Sequence, residues 1–289
     1  MPSKYAFNSA GYEHFFNCPE EYYVKPFRIY GALWFVGNRD VGSYLLDTGE
    51  GLILIDTTYP TTRALLIQSI WEAGFNPRDI RYILHTHGHF DHFGATGFLV
   101  SLSGAKTCLG AADAKMFQKR PELALVQDAH YSKVPLFTPD LALRDGQVVT
   151  LGGVSVRCVS TPGHTMGVMT YFIELSEGGD RQLAGLYGGI GLNTVCRDFI
   201  EAYHVPEYRE HYIESLEKVR CEPVTITLGN HTAQNDTMGK RQRMLAAPES
   251  PNPFINPVEW RHFIDSAIDR YRLMLEEERH SEIPANSPP

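Results

Sequence analysis

Thr86-His87-Gly88-His89-Phe90-Asp91-His92 gathers three imidazoles and a carboxylate into one short stretch of chain. Imidazole and carboxylate are ligands of borderline softness that suit zinc. His87 and His89 are separated by a single glycine, so in a tight turn both rings can converge on one ion. Asp91 and His92 then face a neighbouring position. One such ion takes about four ligands, so this segment alone does not complete two sites. Two further histidines lie in small-residue turns that follow apolar runs. His164 sits in Ser160-Thr161-Pro162-Gly163-His164-Thr165, and His231 in Thr227-Leu228-Gly229-Asn230-His231-Thr232. His14, His130, His204, His211, His262 and His280 stand alone and read as ordinary exposed or hydrogen-bonded histidines.

The elements that must position these residues can be read from hydrophobic period and punctuation. Strands are predicted over 29–36, 42–47 and 52–56, a helix over 61–73 with Thr61 or Thr62 as its N-cap, and a strand over 80–84 that delivers the first histidine loop. A helix over 95–102 ends at Gly104, followed by a strand over 106–109 and a helix over 111–118. Residues 119–140 have weak periodicity and three prolines, and read as a long loop. Strands return over 147–151, 154–160, 169–174 and 182–186. A helix over 207–219 and a strand over 224–228 lead to His231. Strands alternating with helices, twice over, predict sheet packed on sheet with helices outside. Residues 1–28 read as an N-terminal arm, 29–245 as the catalytic domain, and 246–289 as a proline-rich connector with an amphipathic helix. In that helix Trp260, Phe263, Ile264, Ala267, Ile268, Tyr271 and Met274 fall at helical spacing, and packing on the domain is the simpler reading than a lid or dimer element. The arm's Tyr5, Phe7, Tyr12, Phe15 and Phe16 could wall a pocket, with core or surface packing the simpler expectation.

The 289 residues carry a formal net charge of −8, which disfavours a nucleic-acid substrate. No apolar stretch approaches the ~20 residues of a membrane span. The five cysteines are widely spaced and form no C-x-x-C pair. They read as reduced thiols, and with no signal peptide at the start the expected compartment is the cytoplasm.

The pattern His87-x-His89-x-Asp91-His92, followed by Thr161-Pro162-Gly163-His164-Thr165, resembles the metallo-β-lactamase superfamily. The strand pair ending in Ile55-Asp56 and the strands leading to the Pro-Gly-His turn support the resemblance, which covers roughly residues 30–232. It implies an α/β fold, an αββα sandwich with metals at the sheet edges, here carrying a C-terminal helical extension. Many members place a metal-bridging aspartate after the strand near position 186. This chain has Leu186-Tyr187-Gly188-Gly189-Ile190-Gly191, with no carboxylate and no cysteine. The remaining set resembles the third subclass of metallo-β-lactamases, which implies one zinc on His87, His89 and His164 and a second on Asp91, His92 and His231. Iron or manganese could also occupy such donors.

The resemblance implies a hydrolase that opens a cyclic amide or ester of a small molecule with a hydroxide activated by two zincs. Asp91 would be both ligand and proton relay. Tyr187, Asn193, Thr194 and Asn230 flank the expected site and are candidates for substrate contact. The competing readings are a cytoplasmic lactonase, thioesterase or other ester hydrolase with incidental β-lactamase activity, and a metal-binding module without catalysis. The missing bridging aspartate counts against the usual lactonase, and the complete ligand set counts against loss of catalysis.

Overall fold

The computed structural model describes residues 4–5, 13–128 and 134–282. Twelve strands form among them: β1 Phe27–Tyr30, β2 Leu33–Phe35, β3 Tyr44–Asp47, β4 Leu52–Ile55, β5 Ile80–Leu84, β6 Lys106–Gly110, β7 Leu141–Leu143, β8 Val148–Leu151, β9 Val154–Ser160, β10 Met169–Glu177, β11 Asp180–Tyr187 and β12 Ile226–Gly229. The α-helices are α1 Glu13–Asn17, α2 Arg63–Glu72, α3 Phe90–Phe93, α4 Thr96–Ser103, α5 Ala111–Lys119, α6 Arg197–Tyr203, α7 Glu207–Val219, α8 Thr237–Ala246 and α9 Glu259–Glu282.

Strands β1 to β7 form one sheet in chain order, antiparallel to β4 and parallel from β4 onward. The second sheet runs β12-β11-β10-β9-β8, with β11 and β12 parallel and the other pairs antiparallel. Side chains alternate between the two faces of each strand, and this produces four layers. Ile53 and Ile55 of β4 meet Tyr171 and Ile173 of β10 in the core between the sheets. Leu54 faces the other way, onto Leu66 and Ile70 of α2 and Leu99 of α4. Phe172 likewise turns outward from β10, into a cluster with Tyr212 and Leu216 of α7 and Trp260 and Ile264 of α9. The αββα sandwich is therefore the observed fold.

Several elements differ from the sequence expectation. The single strand predicted over 29–36 is a hairpin of β1 and β2, because Gly31 adopts φ +51° and lets the chain reverse between Tyr30 and Leu33. The predicted loop over 119–140 contains two short 3-10 turns, and the strand β7 that follows at Leu141 was not anticipated. Helices α6 and α8 were not anticipated either. Each has an irregular apolar pattern, and α8 carries Gly239 in its first turn. Of the two candidate caps, Thr61 and Thr62, it is Thr62 that stands at the N-cap of α2, but its side chain makes no capping bond. All seven apolar residues expected to face inward on α9 are buried. Among the described residues no helix is long and apolar enough to cross a membrane.

Candidate metal centre

The ligand-bearing segments leave the ends of β5, β9 and β12, so both sheets contribute to one edge of the sandwich. His89 is the N-cap of α3, which places Asp91 and His92 on its single turn. Gly88 lets the His87–His89 turn pack closely: a Cβ there would lie 2.8 Å from Met116 Cε and 2.9 Å from the Phe117 ring.

Two groups result. The rings of His87, His89 and His164 form a near-equilateral set, with centroids 4.6, 4.8 and 4.7 Å apart and interplanar angles of 80–86°. His87 Nε2 and His89 Nδ1 are 3.0 Å apart. In the second group Asp91 Oδ2 lies 3.3 Å from both His92 Nε2 and His231 Nε2. The donor atoms of each triad all fall within 4.8 Å of one another. The triads adjoin, with the His87 and His92 centroids 4.2 Å apart.

For His87, His164, His92 and His231 the nitrogen pointing away from the centre is held by a partner, which fixes the tautomer, whereas His89 Nε2 is buried without one. His87 Nδ1 donates to Thr86 Oγ1 at 3.1 Å, and His164 Nδ1 to the Gly191 carbonyl at 2.9 Å. His92 Nδ1 donates to Asp56 Oδ2 at 2.8 Å, and His231 Nδ1 lies 3.5 Å from Asp40 Oδ1. Tyr59 in turn donates to Asp40 Oδ2 at 2.6 Å. Asp56 is fully buried at φ +58° and also receives Thr86 N–H and Oγ1–H, both at 2.7 Å. Such a left-handed backbone costs of order 1–3 kcal/mol, which these three bonds offset. Asp113, at the start of α5, joins the two loops that carry the first triad. Its carboxylate accepts from Gly88 N at 2.7 Å, Thr165 Oγ1 at 2.7 Å and Gly167 N at 2.8 Å.

Burial, and then the crowding of neighbouring imidazoles, holds His87 and His89 well below the usual histidine range. Burial brings His164 down to about 4. The second triad behaves oppositely. Burial opposes charge on His92, but Asp91 and Asp56 outweigh it and raise the pKa to about 9. Burial is likewise outweighed at His231, where hydrogen bonds to Asp40 and Asp91 raise the pKa to about 10. His92 Nε2 is buried and makes no hydrogen bond. Buried nitrogens of fixed tautomer, converging with a carboxylate, are the donor set a divalent ion requires.

Both triads line a cavity of about 580 Å³, whose walls include Tyr5, Tyr59, Leu125, Ile190, Asn193, Asn230, Gln234 and Arg270. That volume lies within the range of small-molecule sites. Asn193 and Asn230 lie in the cavity wall. Asn230 Nδ2 donates to the Gly188 carbonyl at 2.8 Å. Tyr187 and Thr194 are corrections: neither lines the cavity. Strand alternation turns Tyr187 outward from β11 into the cluster under α7 and α9. Thr194 is buried behind His164, donating to its carbonyl at 2.7 Å. Of the arm aromatics, Phe16 packs edge-on against Tyr59, whereas Tyr5 forms part of the cavity wall. Phe7 and Tyr12, with the Phe15 side chain, lie outside the described residues.

Sequence reading missed Asp40, Asp113, Gln234 and Arg270. Asp56 was visible as a strand-ending aspartate, but without a role. The glycine run after β11 also has a structural reason, since a Cβ at Gly191 would lie 2.9 Å from His164 Cε1.

Residues 36–176 match the Metallo-beta-lactamase superfamily. A hydroxyacylglutathione hydrolase of Acidiphilium cryptum is 34% identical over 129 residues, which cover 45% of this chain and 43% of that protein. The chain thus matches less than half the length of that relative. The native FEZ-1 metallo-β-lactamase of Legionella gormanii superposes with a TM-score of 0.78 at 26% identity, covering 89% of this chain and 98% of that one. BJP-1, a subclass B3 metallo-β-lactamase of Bradyrhizobium japonicum, shares the fold with a TM-score of 0.76 at 23% identity, covering 90% and 97%. Residues 36–176, which carry five of the six triad residues, thus form a region that matches the metallo-β-lactamase superfamily, and the αββα layers are those of these solved structures.

Proposed function

We propose that this chain is a dinuclear zinc hydrolase that opens a cyclic amide or ester of a small molecule, in the manner of a β-lactamase. The observation that carries the reading is the pair of adjoining triads, each with its donor atoms within 4.8 Å, in the wall of one cavity. The three neutral imidazoles of His87, His89 and His164 would hold one ion, and Asp91, His92 and His231 the other. The carboxylates that favour protons on His92 and His231 are the same charges that favour a dication there. Two bound ions would supply Lewis acidity and lower the pKa of a bound water to about 7.

The chain's own groups complete the chemistry. Asp91 Oδ2 faces His92 and His231, which leaves Oδ1 to take a proton from the attacking water and return it to the leaving amine or alcohol. Asn193, on the cavity wall, would orient the substrate carbonyl. Asn230 contributes its shape and its hydrogen bond to Gly188. Tyr59 and Asp40 keep His231 turned toward the centre. Leu125, Ile190 and Leu192 line the same cavity and would shield the reacting bond from water.

Hydrolysis of a thioester or acyclic ester is the second reading, favoured by the similarity to the hydroxyacylglutathione hydrolase. The absence of a carboxylate in Leu186–Gly191 weighs against it. The test is metal analysis of the purified protein, then kcat/KM of the zinc-loaded form on a chromogenic cephalosporin, with His89→Ala as control. A value above about 10⁴ M⁻¹s⁻¹ that vanishes in the variant supports the β-lactamase-like reading. A negligible rate with two zincs bound moves the assignment to the ester and thioester class. An unchanged rate in the variant removes the metal centre from the reaction.

A further inference from the structure

One wall of the cavity comes from outside the ligand-bearing loops. Helix α9 is seated by Trp260, Ile264, Ala267, Ile268, Tyr271 and Met274, all buried. Tyr271 stacks on Tyr212 with centroids 4.7 Å apart, and Tyr212 donates to the Ile190 carbonyl at 2.7 Å. The backbone that carries Arg270 is therefore tied to the loop that frames His164.

Arg270 is the one lysine or arginine among the described residues lining the cavity. Its only hydrogen bond among the described residues is to the Ser266 carbonyl of its own helix, at 3.3 Å. No carboxylate of the described residues pairs with it. Asp91, the one carboxylate in the same wall, is engaged by His92 and His231. Gln234 shares both this cavity and an adjacent depression with Arg270, and its buried Oε1 has no donor. A guanidinium without an internal partner presents a planar fork that matches a carboxylate. On a chain of net charge −8, a local cation favours the approach of an anionic substrate.

Resting on the hydrolase reading above, we propose that the substrate carries a carboxylate and that Arg270 binds it, making Arg270 the specificity-determining residue of the cavity. The reacting carbonyl would lie at the triads and the carboxylate at the α9 wall, so that selection depends on a residue outside the ligand-bearing loops.

The experiment compares a chromogenic cephalosporin, which bears a ring carboxylate, with its methyl ester. Both are assayed on zinc-loaded wild type, Arg270→Ala and Arg270→Lys. The wild-type preference for acid over ester in kcat/KM is expected to fall about tenfold in Arg270→Ala, mainly through KM, because the pair is partly exposed. Arg270→Lys should retain part of the preference. An acid-to-ester ratio that is equal in wild type and Arg270→Ala overturns the proposal. If wild type turns over neither compound, the β-lactamase-like reading fails, yet Arg270 is still tested by calorimetric Kd on the zinc-loaded protein. Tighter binding of the acid that disappears in Arg270→Ala supports the assignment, and equal binding of acid and ester to wild type overturns it.

Discussion

The two triads adjoin and share an edge of the same sandwich, yet they are built on opposite electrostatic plans. His87, His89 and His164 are buried, carry no carboxylate among them, and are backed by a hydroxyl and a carbonyl. Burial keeps them neutral. Asp91, His92 and His231 include an anion and are backed by two more, Asp56 and Asp40. His231 and Asp91 are partly open to the cavity, with side chains 28% and 15% exposed. The neutral triad is suited to holding an ion in a fixed geometry. The anionic triad is suited to exchanging protons, because its carboxylate faces both the ligands and the cavity.

That contrast can be broken or sharpened by substitution. The largest effect is expected from His89→Ala in the neutral triad, which should lower zinc stoichiometry and reduce kcat/KM by roughly a thousandfold or more, since the ion supplies several kcal/mol of transition-state stabilisation. Asp91→Asn should reduce turnover about a hundredfold while losing much less metal, because an amide can still coordinate but cannot take a proton. Proportionate losses of metal and activity would reduce Asp91 to a structural ligand.

Asp113 probes the framework of the neutral triad. Burial raises its pKa from 3.8 to about 6, although three donors face it. The folded value lies above the unfolded one, so its contribution to stability is full below about pH 4 and is lost as pH rises to about 6. The stability of wild type relative to Asp113→Asn is therefore expected to fall by up to about 3 kcal/mol across that window. Urea unfolding of both proteins at a series of pH values checks this, and a pH-independent difference would contradict it. The smallest effect is expected from Asp56→Asn behind the anionic triad. Zinc affinity of the second site should weaken about tenfold, read by competition with a chelator, while the first site is retained.

What could be read in the residues themselves was local. Three histidines and an aspartate within six residues restrict the chemistry whatever surrounds them, and the Pro-Gly-His turn marks a second ligand loop. Strands β5 and β9 and helix α7 were legible to the residue, because their hydrophobic period is strong and their ends are punctuated. The hairpin of β1 and β2 was not, since one apolar run hides a reversal that depends on a single glycine. Tyr187 looked like a pocket residue from its place beside the glycine run, and the pleat of β11 turned it the other way.

The sequence by itself determined the ligand types, the layered fold and the acidic charge balance, because these follow from composition, spacing and period. Only the tertiary structure decided that Asp40 and Asp56 stand behind one triad and Asp113 between the loops of the other. It also decided that Tyr5 and Arg270, 265 positions apart in the chain, share a cavity wall. The physical reason is that a hydrogen bond or a cavity wall depends on distances across the fold, and those are set when α9 and the two sheets pack, not by any neighbouring residue in the chain.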